Sequence, residues 1–93
     1  MAFTSSSVSV GTTAVVLAPA DPRRRRLYIH NATGAGTTYI GGSNVTTSNG
    51  FDLASGDRLE LAEAHPGDCS LRGEIYAVNS SGTNTVRILV GTD

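Results

Sequence analysis

Apolar residues recur at every second position along most of this chain, and short polar clusters interrupt them at regular intervals. Val8 and Val10 alternate with serine, and Ala14, Val15, Val16 and Leu17 form a short apolar run closed by Pro19, Asp21 and Pro22. Leu27 and Ile29 alternate with Arg26, Tyr28 and His30, up to a loop of Asn, Ala, Thr and Gly that begins at Asn31. Residues 37–40 read as a short strand ended by Gly41-Gly42, and residues 44–50 as a polar loop. Phe51 and Leu53 lead into the turn Ala54-Ser55-Gly56-Asp57, after which Leu59 and Leu61 alternate with Arg58 and Glu60. Two more strands are predicted at 74–79 and 83–90, joined by Ser80-Ser81-Gly82 as a hairpin. A period of two bounded by Gly, Pro, Asn and Ser marks strands, because alternate side chains of a strand face opposite sides of the sheet.

No window places apolar residues at i, i+3, i+4 and i+7 over three turns, and Pro66-Gly67 would stop the one helical turn conceivable at 59–64. Seven or eight short strands therefore predict an all-β fold, a single small β-sandwich of jelly-roll-like form with antiparallel strands. A chain of 93 residues suffices for one domain. The strand pattern assigns residues 8–93 to that domain and residues 1–7 to a polar N-terminal arm. The expected core is Leu17, Leu27, Ile29, Ile40, Leu53, Leu59, Leu61, Tyr76, Val78, Val86 and Ile88.

Composition narrows the function classes. A net charge of −1 with no lysine argues against nucleic acid as a partner, since phosphate neutralisation requires clustered basic residues. All seven basic residues are arginine, whose forked, weakly hydrated guanidinium suits packed protein interfaces; a GC-rich coding bias would give the same composition. A single cysteine, Cys69, allows no internal disulfide and leaves the redox compartment open. The polar start lacks the pattern of a secretion signal, and no run approaches the ~20 apolar residues that span a bilayer, so no membrane association is expected.

The segment His65-Pro66-Gly67-Asp68-Cys69 gathers reactive side chains, yet Pro-Gly at its centre is also the signature of a type II turn. A cysteine nucleophile needs a base, an orienting group and an oxyanion site, and nothing else along the chain supplies them. His30, His65 and Cys69 show no CxxC, HxH or HExxH spacing, and the carboxylates are scattered. No enzyme activity, metal or cofactor is expected. The glycines at 34, 36, 41 and 42 open no helix that could hold a phosphate, and the Asn-X-Ser/Thr matches at Asn31, Asn44 and Asn79 are what an Asn-, Ser- and Thr-rich chain produces by chance. The run Arg23-Arg24-Arg25-Arg26 has two readings. It is a solvated start to a strand, or it begins a face on which Arg24, Arg26, Tyr28 and His30 lie together opposite Leu27 and Ile29 and contact an acidic protein surface.

Four segments carry a resemblance that spans nearly the whole chain. They are Val8-Ser9-Val10-Gly11-Thr12-Thr13 with Leu17-Ala18-Pro19; Tyr39-Ile40-Gly41-Gly42-Ser43-Asn44-Val45-Thr46; Gly50-Phe51-Asp52-Leu53-Ala54-Ser55-Gly56-Asp57; and Ile75-Tyr76-Ala77-Val78-Asn79-Ser80-Ser81-Gly82-Thr83. In this order they resemble the small β-sandwich structural proteins of tailed bacteriophages. The resemblance implies a non-enzymatic virion protein on the capsid exterior, made in the host cytoplasm. It would be a decoration or cement protein that binds the major capsid protein and stabilises the shell. A homotrimer is the favoured geometry, because closed cyclic symmetry matches a capsid's own axes. The expected contacts are the arm residues Ala2, Phe3, Thr4, Ser5, Ser6 and Ser7 and the face of Arg24, Arg26, Tyr28 and His30. The alternative implied is a receptor- or glycan-binding module of a tail or fibre, for which Tyr28, Tyr39, Tyr76, Phe3 and Phe51, with no Trp, form a thin aromatic set.

Overall fold

Eight strands form two four-stranded antiparallel sheets in a computed structural model that describes residues 2–33, 36–62 and 72–92. The strands are β1 (Ala2–Val10), β2 (Val15–Ala18), β3 (Arg24–Thr33), β4 (Thr37–Gly41), β5 (Phe51–Ala54), β6 (Arg58–Ala62), β7 (Ile75–Asn79) and β8 (Asn84–Thr92). One sheet has the order β1-β8-β3-β6 and the other β2-β7-β4-β5, and no helix occurs among the described residues. Strand β1 pairs with β8, β2 with β7, β3 with β6 and β4 with β5. That is the pairing of one long hairpin rolled up on itself, the winding of a jelly roll. The all-β sandwich expected from the period-two pattern is the fold.

The core lies between the sheets. Val10, Leu17, Ala18, Leu27, Ile29, Ile40, Leu53, Ala77, Val86 and Ile88 are buried together, with Leu59 and Leu61 packed against them from the edge strand β6. Val78 is buried as expected but lies outside the central cluster, on the opposite face of β7 from Ala77, which fills the inner position; Tyr76, also expected in the core, is only partly buried. The run Ile75-Tyr76-Ala77-Val78 is apolar on both faces, so its alternation could not choose a side.

Two further expectations are corrected. Ala2 to Ser7 do not form a separate arm, because Ala2 through Val10 pair continuously with β8. Nor is Ser80-Ser81-Gly82 a hairpin: β7 lies in one sheet and β8 in the other, so this turn is a corner between sheets. Its physical cause is Asn79, whose buried side chain donates to Ser81 O at 2.7 Å and draws the turn around itself. Among sequence-adjacent strands only β4 and β5 pair, through the loop 42–50.

Four corners meet at this end of the sandwich, and a buried polar cluster closes it. Asn31 and Asn84 come from one sheet, and Thr38 and Asn79 from the other; all four are at most 1% exposed. Asn84 Nδ2 donates to Asn31 Oδ1 at 3.0 Å and to Thr38 Oγ1 at 3.3 Å, and Thr38 Oγ1 donates to Asn79 Oδ1 at 2.8 Å. Asn31 Nδ2 donates to Leu53 O, while the Asn31 backbone bonds Gly56 and Asp57 in the β5–β6 corner. The Asn79 amide donates to Gly11 O in the β1–β2 corner. Gly36 has φ of 76°, and a Cβ there would stand 2.6 Å from Ser80 Oγ, so only glycine fits where these corners touch. Such a satisfied network rigidifies the fold, because any member left unpaired in the interior would be costly.

Candidate functional site

Strand alternation places Arg26, Tyr28 and His30 on the outer face of β3, since Leu27 and Ile29 face the core. The same logic puts Phe3, Ser5 and Ser7 of β1, Arg58 and Glu60 of β6, and Arg87 and Leu89 of β8 on that face. The register aligns them in rows across the sheet. Ser5, Leu89, Tyr28 and Glu60 form one row, and Ser7, Arg87, His30 and Arg58 the next. Phe3, Gly91, Arg26 and Ala62 form a third. The first two rows line an open trough of about 710 Å³.

Electrostatics divide this trough. Arg26 Nη1 lies 3.5 Å from Glu60 Oε2, an exposed pair worth little in stability. Arg87 and Arg58 flank His30 from the adjacent strands, and neither arginine has a carboxylate within ion-pair distance among the described residues. Like charges brought together across strands are unfavourable. The sheet tolerates them here because both guanidiniums are exposed to water. Leu89 in the neighbouring row is 37% exposed, an apolar step beside the cations.

Arg24 departs from the face expected for it. The register with β8 slips between Arg24 and Arg26, so Arg25 is the extra residue of a β-bulge and Arg24 turns to the inner side. It is 1% exposed, with Nη1 donating to Pro19 O at 2.9 Å and Nη2 to Gly73 O. The turn before it is built by Asp21, whose carboxylate accepts from the Arg23 amide and whose carbonyl accepts from the Arg24 amide, with Pro22 between. Burial pushes the Arg24 pKa down, and the nearby Asp21 charge opposes that shift. Arg24 is a clamp holding the β2–β3 connection to residue 73, and it offers no outward surface.

The first two thirds of β1 are exposed, and β1 is an edge strand. Its inward-facing Thr4 and Ser6 look onto a slot of about 320 Å³, shared with Leu17, Arg24, Ile88 and Val90. The outer face of the second sheet is different. It carries Val16, Tyr76, Val78, Tyr39 and Asp52 and no arginine, and the loop 42–50 brings buried Val45 down beside Gly41 and Gly50.

Among the described residues no group of three His, Cys, Asp or Glu could hold a metal ion. The segment His65 to Cys69 lies outside the described residues. Sequence reasoning placed Arg26, Tyr28 and His30 on one face but missed Arg58, Arg87 and Leu89. Their alternation with core residues was visible; the strand order that brings them beside His30 was not. No protein family, curated protein or solved structure matches this chain. What defines it is a jelly-roll sandwich with one sheet face on which the described residues place three arginines against one carboxylate.

Proposed function

We propose that this chain is a non-enzymatic structural protein of a tailed-phage virion, a decoration protein that binds the outer surface of the major capsid lattice and stabilises it. The observation that supports adhesion is the outer face of the β1-β8-β3-β6 sheet: unlike the other face it carries three arginines against one carboxylate, and an exposed edge strand borders it. The resemblance to phage structural proteins supplies the capsid as the surface. A sandwich locked by its buried asparagines would act as a rigid bridge between neighbouring capsid subunits, adding buried area to the shell. Cosedimentation of the purified chain with undecorated capsids tests this. Saturable binding, lowered by deleting residues 2–7 or by Arg26→Glu with Arg87→Glu, is expected; no binding to capsids, or binding untouched by both variants, overturns the reading or its contact surface.

The second reading, a glycan- or receptor-binding module of a tail or fibre, draws on Tyr28 lying half-buried in the trough beside Glu60 and Arg26. Selective retention on a glycan array together with silence in the capsid assay would favour it.

A further inference from the structure

We propose that the row Ser7, Arg87, His30 and Arg58 is a carboxylate-binding site that seats an acidic segment of a partner protein, with Leu89 and Tyr28 receiving an apolar side chain beside it. This rests on the reading that the face is a contact surface and names the chemistry of what it contacts. Three observations converge. The two arginines stand on either side of His30, about 10 Å apart by strand spacing, without a counterion in the described chain. An anionic occupant relieves a like-charge juxtaposition that the described residues leave in place. Both cations are arginine, whose fork accepts a carboxylate with two parallel hydrogen bonds, and Ser7 at the end of the row adds a hydroxyl donor.

The charge pattern selects a protein rather than a polyanion. A nucleic acid or sulfated glycan spreads uniform charge along its length and favours a continuous cationic track. Here the adjoining row presents Leu89, Tyr28 and the carboxylate of Glu60, which would repel such a chain. A partner with one or two carboxylates next to an apolar residue satisfies both rows at once. Leu89 and Tyr28 then become the dry part of the interface, where apolar and aromatic anchors contribute most.

The test uses the full chain. A random peptide library displayed on mRNA is selected against it, and the consensus peptide is titrated into isotope-labelled protein. Enriched peptides should carry Asp or Glu beside an apolar residue and shift the amide signals of Arg58, Arg87, His30 and Leu89. Affinity should fall about tenfold for Arg58→Gln and again for Arg87→Gln, the scale of a charge-assisted hydrogen bond, and should fall with added salt. Arg58→Lys, which keeps the charge and loses the fork, should recover only part of the loss. The proposal is overturned by selection without acidic enrichment, by signals that shift elsewhere, or by affinity unchanged in both Gln variants. It is equally overturned if single-stranded DNA or a heparin fragment displaces the peptide at lower concentration. Unaltered thermal unfolding of these surface variants excludes misfolding as the cause. Because no capsid enters this assay, its failure and a failure of capsid cosedimentation are separate results.

Discussion

Asn79 Nδ2 donates to Asn84 Oδ1 at 3.1 Å, and the two residues sit in different sheets. The bond spans the corner from β7 to β8 and makes Asn84 the hub of the cluster, since its own amide serves Asn31 and Thr38. Asn84→Ala would leave the Asn31 side-chain carbonyl without its donor and remove one acceptor from Asn79 Nδ2 and one donor from Thr38 Oγ1. The unsatisfied buried carbonyl costs about 1–3 kcal/mol and the other lost hydrogen bonds add about 1 kcal/mol, so a total of roughly 2–4 kcal/mol is expected. For a domain of this size that lowers Tm by about 10–25 °C. Thermal unfolding followed by circular dichroism checks it, and a drop of only a degree or two would show that water replaces the lost partners.

Arg24 and Arg26 are two residues apart and should respond in opposite ways. Arg24→Met removes the donors to Pro19 O and Gly73 O and should cost about 2–4 kcal/mol in urea unfolding. Arg26→Gln loses only an exposed ion pair and should stay within about 0.5 kcal/mol of the parent.

Gly50 ends the loop 42–50 where a Cβ would stand 2.6 Å from Tyr39 Cβ and 3.0 Å from Thr46 O. Both obstacles are stiff, one a side-chain root and the other backbone. Gly50→Ala should therefore push the loop and Val45 off the sheet at a cost of about 1–3 kcal/mol. Hydrogen exchange should show lost protection at Val45 and at Gly50, whose amides donate to Gly42 O and Thr46 O. Protection retained at both sites would mean that the strand shifts instead.

The period-two pattern carried the fold class and the position of the strands that have one face in the core, as at Leu27 and Ile29. It failed where that condition fails. Ala2 to Ser7 bury almost nothing, so their pairing with β8 left no hydrophobic trace. The bulge at Arg25 inverts the phase of everything before it, and a run of four identical residues cannot register a slip of one. Sheet order is set by long-range pairing, so no local signal announced that Arg58 and Arg87 flank His30. The buried asparagines left no signal of their role: Asn31 opens a polar loop, Asn79 ends one predicted strand and Asn84 lies at the start of the next, and isolated polar residues next to turns look the same whether they face water or close the end of a core.

The exposed edge of β1 leads to the last prediction. Pairing with β8 satisfies one side of the strand, and among the described residues no strand pairs with the other side of its nine residues. The strand contains no Lys or Pro, two of the devices that discourage edge-to-edge contact, and the slot beneath Thr4 and Ser6 is bordered by the partly buried Val90. A neighbouring copy that covers this region on each protomer in turn would close a ring, and a ring of three is expected from the proposed seat on a capsid. Light scattering after size exclusion should then report three chains for the parent and one for a variant lacking residues 2–7. The deletion itself should be mild for folding. These residues bury little, and the chain entropy they release offsets their hydrogen bonds, leaving a cost of about 1–2 kcal/mol. A folded variant of unchanged trimeric mass would move the interface elsewhere, while a monomeric parent would remove the trimer and leave the sandwich to attach as single copies.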